Sequence, residues 1–510
     1  MAGKVKPRTP RGMRDFLPEK MILRQYVIDV IREVFEEFGF EPLQTPVVEM
    51  EETLMGKYGP DAEQLIYNVG HRGGRENLSM RYDLSVPLSR VVAQYPDLIK
   101  PFKRYQIAPV WRAERPQKGR YREFYQCDAD TVGSSSMLAD AETLNVIYEI
   151  LTRLGFKKFV MNVNNRKIIT GVGQFAGVPD ELLGGLYRSI DKLDRIGLEG
   201  VKAELRQTGL EDAFSVLREN KVPEETASDL VEALRAADLD AVESTLRQAG
   251  LGDFTISRVV KQLAALDLEE GPTIPDAVIE RLLDFLQIGG SNQEILAQLR
   301  EWLADYPRAL EGVAELEELV GYLEALGISE EFYPIVPSMV RGLEYYTGPI
   351  YETIVEEPKI GSITGGGRYD ELVGMFTDYS YPATGTTIGI ERIIDVMEEL
   401  EMFPPEVGKT VAQVLVTQFS PEMVPESLQV ARELREAGLN TELYFENDPL
   451  GDQIRYALKK EIPYLVIVGP DEAAAGQVAV RNLRLKQQET VPREEASARI
   501  KAWQQKGKGK

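Results

Sequence analysis

An α+β fold is predicted: a β-rich block split by a long run of helices, followed by a smaller α/β domain. Three observations predict it. Aromatic and β-branched residues crowd both sides of the turn-like ERPQKGR between residues 100 and 132. Leu, Ala and Glu dominate residues 167 to 322 at helical spacing. Beyond residue 409, apolar strands alternate with amphipathic helices.

The elements follow in order. PEKMILRQYVIDVIREVFEEFGF carries apolar residues at Ile22, Leu23, Tyr26, Val27, Val30, Ile31, Val34 and Phe38, which predicts a helix stopped by Gly39. EPLQTPVVE reads as one strand. Residues 100 to 132 read as two antiparallel strands joined by a long basic loop, and KFVMNVNNRK as a further strand. SDLVEALRAADLDAVESTLRQAG and NQEILAQLREWLADYPRALEGVAELEELVGYLEALG read as helices. Strand character resumes with FYPIVPSMV, IYETIV and SITGGGRYDELVG, and TGTTIGIERIIDVMEEL runs from strand or loop into helix. After FPPEVGK, a linker, a β-α-β-α-β pattern predicts a mainly parallel sheet. The expected divisions are 1–166 and 326–405 for the two parts of the core, 167–325 for a helical insertion, 409–500 for the α/β domain and 501–510 for a basic tail.

Composition removes several chemistries. The only histidine is His71 and the only cysteine is Cys127, so a Cys/His metal site or an internal disulfide lacks ligands, and a Ser-His-Asp triad has one possible centre. His71 is expected in an exposed loop and Cys127 as a small buried hydrophobe. No apolar run approaches the roughly 20 residues of a membrane span, and MAGKVKPRTPRGMRDF is not followed by an apolar signal region, so a cytoplasmic protein is expected. A formal net charge of -23 disfavours indiscriminate binding to polyanions, leaving local basic patches to meet any nucleic acid. Those patches are Lys4 to Arg14, Trp111 to Arg122, and the end of the chain.

The second patch repays attention to register. If its loop is centred near Gln117, Arg112 faces Arg122, Ala108 faces Gln126 and Arg104 faces Asp130. Side-chain alternation then puts the even-numbered residues on one surface, a platform of guanidinium groups, an amide and a carboxylate. It suits a ligand with an anionic and a cationic end, because Arg forks match phosphate oxygens and a carboxylate accepts from an amine or imidazole N–H. RGLEYYTGPIYE adds Arg341 beside a tyrosine pair, and the glycines of SITGGGRYDE allow close backbone approach to a ligand.

These stretches together resemble the histidyl-tRNA synthetases, within the class II aminoacyl-tRNA synthetases, over nearly the whole chain. FGFEPLQTPVVE, with Pro46, is similar to the class motif that builds a dimer interface. YQIAPVWRAERPQKGRYREFYQCDAD is similar to the second class motif and ATGTTIGIERIIDV to the third. RGLEYYTG and GGGRYDEL resemble the two motifs peculiar to the histidine enzymes, although Glu344 stands where the first usually has Asp, and Ser85 where the amino-group motif often has Thr. The resemblance implies a class II antiparallel-sheet catalytic core with a helical insertion, and a C-terminal α/β anticodon-binding domain.

It also implies roles. Arg112 would hold the ATP α-phosphate, Glu114 the adenine amino group and Arg392 the γ-phosphate, with Arg341 a fixed cation across the reacting centre. Asp83, Leu84, Ser85 and Gln126 belong to the histidine site at its α-amino end, Asp130 and Tyr346 bracket the imidazole, and Tyr345 and Tyr369 wall the pocket. Arg115 and Gln117 would reach the acceptor end of tRNA(His). The implied substrates are L-histidine, ATP with Mg2+ and tRNA(His), with no organic cofactor and no metal held by Cys or His, in a cytoplasmic homodimer. Non-catalytic relatives, notably the regulatory subunit of ATP phosphoribosyltransferase, are the rival reading. They typically lack the C-terminal domain and the ATP arginines, whereas Arg112, Arg341, Arg392 and residues 410 to 500 are all present here.

Overall fold

The computed structural model describes all residues except 1–4, 57, 59–62, 72, 118, 267, 269–272, 341–344, 406 and 508–510, with main chain alone at 180, 194, 506 and 507. The chain forms two compact units. One comprises Arg11–Met13 and Val30–Val396; the other comprises Met1–Pro10, Arg14–Asp29 and Met397–Lys510.

The larger unit is organised by strands β1 (Glu41–Pro42), β2 (Val48–Met50), β3 (Asn68–Val69), β4 (Leu78–Met80), β5 (Phe102–Trp111), β6 (Glu123–Val132), β7 (Phe159–Asn165), β8 (Pro349–Val355), β9 (Thr364–Arg368) and β10 (Ala383–Ile388). Seven of them form one sheet in the order β1-β5-β6-β10-β9-β8-β7, antiparallel throughout except for the short β1 against β5. β2, β4 and β3 make a small separate sheet. EPLQTPVVE is therefore two strands in two sheets rather than one. Pro46, between them, offers no N–H to continue a ladder.

β5 and β6 pair in the register that alternation predicts, with Arg104 opposite Asp130 and Ala108 opposite Gln126. The main chain carries the pairing past the strand end, where Arg112 N–H donates to the Arg122 carbonyl at 3.0 Å. FYPIVPSMV is not a strand. Only Ile335 bridges β7, because Pro334 and Pro337 lack the donors a ladder needs, and the Asn164 amide donates to the Pro337 and Met339 carbonyls instead.

The described residues between 166 and 325 form a succession of helices, from Arg166–Ala176 to Pro307–Ala325, and these two flanking helices meet so closely that a Cβ on Gly171 would lie 2.4 Å from Ala309 Cβ. A separate apolar cluster including Leu217, Leu234, Val242 and Val259 forms the core between them. The first helix, Pro18–Glu37, ends as expected at Gly39, which takes φ +76° and donates to the Glu36 carbonyl.

In the second unit β11 (Val414–Val416), β12 (Thr441–Leu443), β13 (Tyr464–Ile467), β14 (Gln477–Asn482) and β15 (Gln487–Pro492) run in the order β12-β11-β13-β14-β15. The sheet is mixed rather than mainly parallel. Full helices, Val424–Glu436 and Leu450–Lys460, return the chain for parallel pairing of β11, β12 and β13, but the short connections to β14 and β15 permit only antiparallel pairing. The described part of the expected basic tail, 501–510, belongs to the helix Ala496–Gly507, whose Trp503 is buried against Tyr464. No helix among the described residues is long and apolar enough to cross a membrane.

Candidate active site

The open face of the large sheet carries two adjoining cavities of about 290 and 280 Å3. Arg112, Gln126, Gly365 and Thr387 line both, so the cavities share one wall. Their chemistry differs. The first is acidic, with Asp83, Asp128, Asp130 and Glu352 among tyrosines 345, 346, 351 and 369. The second is basic and aromatic, with Arg112, Arg120 and Arg392 beside Tyr121, Phe124 and Tyr125, and with Glu114 and Glu391 in its walls.

Alternation on β6 turns Gln126, Asp128 and Asp130 to the acidic cavity while Cys127 is fully buried behind them. Beneath them lies Arg104, also fully buried. It pairs with Asp130 at 2.9 Å and donates to the Leu84 carbonyl at 3.1 Å. Asp130 also accepts from the Tyr369 hydroxyl. Burial pushes the Asp130 carboxyl up, opposed by Arg104 and by the Tyr369 bond. Burial pushes Asp128 up to about 8, opposed by Arg104 and reinforced by the neighbouring Asp130. Asp83 is likewise raised by burial, and held back by the Val86 N–H, Arg112, Tyr58 and Arg104. One Asp83 oxygen accepts from Tyr58 at 3.0 Å and from the Val86 N–H at 3.1 Å, while Asp83 Oδ2 and Gln126 Oε1 are buried without a protein partner. A cavity holding unpartnered acceptors above a buried carboxylate layer is built for a cation.

Glycines make the wall. A Cβ on Gly366 would lie 2.2 Å from the Gly385 carbonyl, and one on Gly385 would lie 2.1 Å from an Asp130 carboxylate oxygen, so strand packing excludes side chains there. Gly365 differs: its Cβ would meet nothing within 4 Å, because it faces the space where the cavities join.

In the basic cavity Arg112 is clamped over the Tyr82 ring at 4.3 Å and the Phe124 ring at 5.1 Å, and its Nε donates to the Tyr82 carbonyl at 3.2 Å. Arg392 donates to the Gly119 carbonyl at 3.1 Å and the Ser362 carbonyl at 2.5 Å. Two guanidinium groups locked by packing and main-chain acceptors form a rigid anion site. The loop between β5 and β6 is itself tied down, since Arg122 donates to the Glu114 and Gly12 carbonyls and Ala113 N–H to the Leu65 carbonyl.

The structure thus brings Asp83, Ser85, Gln126, Asp130, Tyr345, Tyr346 and Tyr369 around one cavity, and Glu114 and Arg392 around the other, with Arg112 between. Glu114 pairs with Arg120 at 3.1 Å. Leu84 does not reach the cavity: its side chain packs with Ala108 and Val110, and it takes part through its carbonyl. Arg115 and Gln117 are exposed on the loop and line neither cavity, and His71 is exposed. Arg341 and Glu344 lie outside the described residues. Sequence reasoning missed Asp128, Thr387, Tyr58 and Tyr351. Alternation from Gln126 and Asp130 marks Asp128, and the 128–387 pairing then marks Thr387; Tyr58 and Tyr351 arrive from distant segments and carried no local signal.

A family model described as Histidyl-tRNA synthetase matches residues 12–256 and 213–393, and one described as Anticodon binding domain matches residues 413–503. The chain is 37% identical over 514 residues to the Histidine--tRNA ligase of Porphyromonas gingivalis, covering 96% of this chain and 98% of that protein. It is 38% identical over 497 residues to the Histidine--tRNA ligase of Aeropyrum pernix, covering 96% and 97%. The crystal structure of histidyl-tRNA synthetase from Nostoc sp. PCC 7120 matches with a TM-score of 0.73 at 30% identity, over 98% of this chain and 100% of that one. With identity of this level running nearly end to end in both directions, and the same fold, the chain belongs to the histidyl-tRNA synthetase family.

Proposed function

We propose that the chain is a histidine--tRNA ligase, which joins L-histidine to ATP as histidyl-adenylate with release of pyrophosphate and then transfers histidine to the 3' end of tRNA(His). The observation that carries this reading is the shared wall of two oppositely charged cavities. An amino acid seated by its ammonium group and its imidazole in the acidic cavity would turn its carboxylate toward Arg112, where a nucleotide in the basic cavity would present its α-phosphate. A carboxylate oxygen then attacks the α-phosphorus and the bond to pyrophosphate breaks. That reaction needs alignment and charge stabilisation rather than a protein nucleophile, which suits a site with rigid cations and neither histidine nor cysteine facing it.

Placement around the two cavities supports the roles of the lining residues, and the role of Arg341 rests on the resemblance to the family. Asp83, Ser85 and Gln126 receive the α-ammonium, Asp130 and Tyr346 the imidazole, and Tyr345 and Tyr369 enclose it. Arg112 and Arg392 hold phosphates, Glu114 the adenine amino group, and Arg341 is retained as the cation across the reacting centre. Glu352 and Glu391 each face a cavity, a donor set that fits Mg2+ carried in on ATP, since that ion takes one or two carboxylates and draws its remaining ligands from phosphates and water. Bound there, it would offset phosphate charge.

The exposed Arg115 and Gln117 are free to meet the acceptor end of the tRNA, and residues 409–500 to read its anticodon. Exposed Val47 and Met50, on the segment that includes Pro46, support a homodimer in which a second copy covers them. A cytoplasmic setting accords with a lone, buried cysteine. The test is charging of unfractionated tRNA with each labelled amino acid in turn. Acceptance of histidine alone is expected, and acceptance of another amino acid, or of none, would overturn the proposal.

A further inference from the structure

Asp128 has no part in the roles above, yet it lines the acidic cavity at 2% exposure and its Oδ1 has no hydrogen-bond partner. Directly across the β6·β10 pair stands Thr387. Side chains opposite each other on one face of an antiparallel pair lie within reach, as do diagonal neighbours. Gln126 is the diagonal neighbour, and its Nε2 donates to the Thr387 hydroxyl at 3.2 Å. The Thr387 hydroxyl stands opposite the Asp128 carboxyl across the strand pair, and its hydrogen-bonding influence is among those that hold that carboxyl down.

A hydroxyl has one proton. With that proton directed at Asp128, Thr387 shows only lone pairs to Gln126, and the amide must answer with its NH2. Its oxygen is thereby turned the other way. Gln126 Oε1 is the buried, unpartnered acceptor already noted, beside a second one on Asp83.

We propose that Asp128 and Thr387 form a polarity relay that locks the Gln126 amide with its oxygen toward the substrate's α-ammonium group, making both of them positioning residues for amino-group recognition. This rests on the reading that the acidic cavity takes histidine by its amino group at Asp83 and Gln126. Without the relay the amide can rotate by half a turn and set N–H donors against an ammonium that itself only donates. An Asp at 128 matters because, once the arriving ammonium group favours its ionised form, a carboxylate can only accept. An Asn there can donate to Thr387, reverse the hydroxyl and with it the amide.

The test compares binding of L-histidine with binding of 3-(imidazol-4-yl)propionate, the same molecule without the amino group, to the full-length chain by calorimetry, alongside the KM for ATP in pyrophosphate exchange. Thr387→Val should weaken histidine binding about tenfold or more, the scale of one hydrogen bond to a charged group. It should leave the propionate affinity and the KM for ATP within about twofold. Thr387→Ser, which restores the hydroxyl, should recover histidine affinity to within about threefold, and Asp128→Asn should follow the Val variant in direction. Equal losses for both ligands in Thr387→Val would mean simple packing damage and overturn the relay, as would full histidine affinity in that variant or a Ser variant no better than Val. Wild-type protein that binds the propionate as tightly as histidine would instead overturn the amino-group reading on which the relay stands.

Discussion

Arg104→Leu removes the cation beneath the acidic cavity while keeping an apolar side chain to fill the space. Arg104 is fully buried, sits 2.9 Å from Asp130, donates to the Leu84 carbonyl, and holds down the carboxyls of Asp83, Asp128 and Asp130. Breaking a buried ion pair by removing one partner costs about 3–5 kcal/mol, because the remaining charge has lost its compensation. Asp130 keeps the Tyr369 hydrogen bond and can take up a proton, which limits the loss. A net destabilisation of about 3 kcal/mol at pH 8 is expected. With an unfolding entropy of about 2.1 cal/mol/K per residue over a unit that runs from Val30 to Val396, each kcal/mol shifts the midpoint by roughly 1.3 °C, so the larger unit should melt about 4 °C lower. The sign with pH is fixed: all three carboxyls titrate above their ordinary value and loss of Arg104 raises them further, so the deficit should shrink as falling pH protonates them and grow as pH rises. Differential scanning calorimetry at pH 5 and pH 8 measures this for Arg104→Leu, Asp130→Asn and the double variant. The double variant should melt above Arg104→Leu alone, since the stranded charge goes with its partner. An Arg104→Leu melt within about 1 °C of wild type at pH 8, or a double variant showing the full sum of the single losses, would refute the argument.

Other outcomes are open to direct measurement. Gly365→Ala should melt like wild type yet lose pyrophosphate exchange, because its Cβ enters open space between the cavities; Gly366→Ala should unfold at markedly lower temperature, because its Cβ meets the Gly385 carbonyl at 2.2 Å. The opposite ranking in melts and rates would contradict this account of the glycines. Arg392→Ala should raise the KM for ATP about tenfold, the order of a lost charge-assisted phosphate contact, and leave histidine affinity unchanged, because Arg392 lines only the basic cavity. Asp128, at about 8, carries a proton at pH 7, where a free carboxyl near 3.8 would not, so its contribution to stability is present at acid pH and lost as pH rises through about 8. An arriving ammonium group adds positive charge beside Asp83, Asp128 and Asp130, to that of Arg104, Arg81 and Arg112, and favours the ionised form. Histidine binding at pH 7 should therefore release up to about one proton, read by calorimetry in buffers of different ionisation enthalpy, and the release should vanish above about pH 9 and in Asp128→Asn. Buffer-independent heats in the wild-type protein would remove Asp128 from the account.

What could be read ahead of the structure was whatever period and pairing dictate. Centring the loop near Gln117 placed Arg104 opposite Asp130 and Ala108 opposite Gln126, and the two-residue period put the even-numbered residues, Asp128 with them, on one face, although its role was not drawn. Helical spacing marked residues 167–325 for the same local reason, and the helices run from Arg166 to Ala325. Long-range closure left no such trace. Nothing in the sequence tells that Tyr58 bonds Asp83, that Tyr351 donates to the Gly385 carbonyl, or that Gly12 anchors Arg122. Nor does composition show that Arg14–Asp29 join the C-terminal unit. Prolines misled in one place and should have helped: Pro334 and Pro337 rule out the strand suggested by the apolar FYPIVPSMV. In the C-terminal sheet the apolar runs were legible, but strand direction depended on connection length, and the turn at Lys486 forced a hairpin.

The most direct test of the central claim is ATP–pyrophosphate exchange measured with each of the standard amino acids separately, using full-length protein, ATP and Mg2+. Exchange with histidine and with none of the others is expected, because an acidic cavity with buried acceptors at both ends of the substrate leaves costly unpaired groups when any other side chain occupies it. Exchange with a different amino acid would contradict the assignment of the acidic cavity to histidine, and exchange with none would contradict an enzyme.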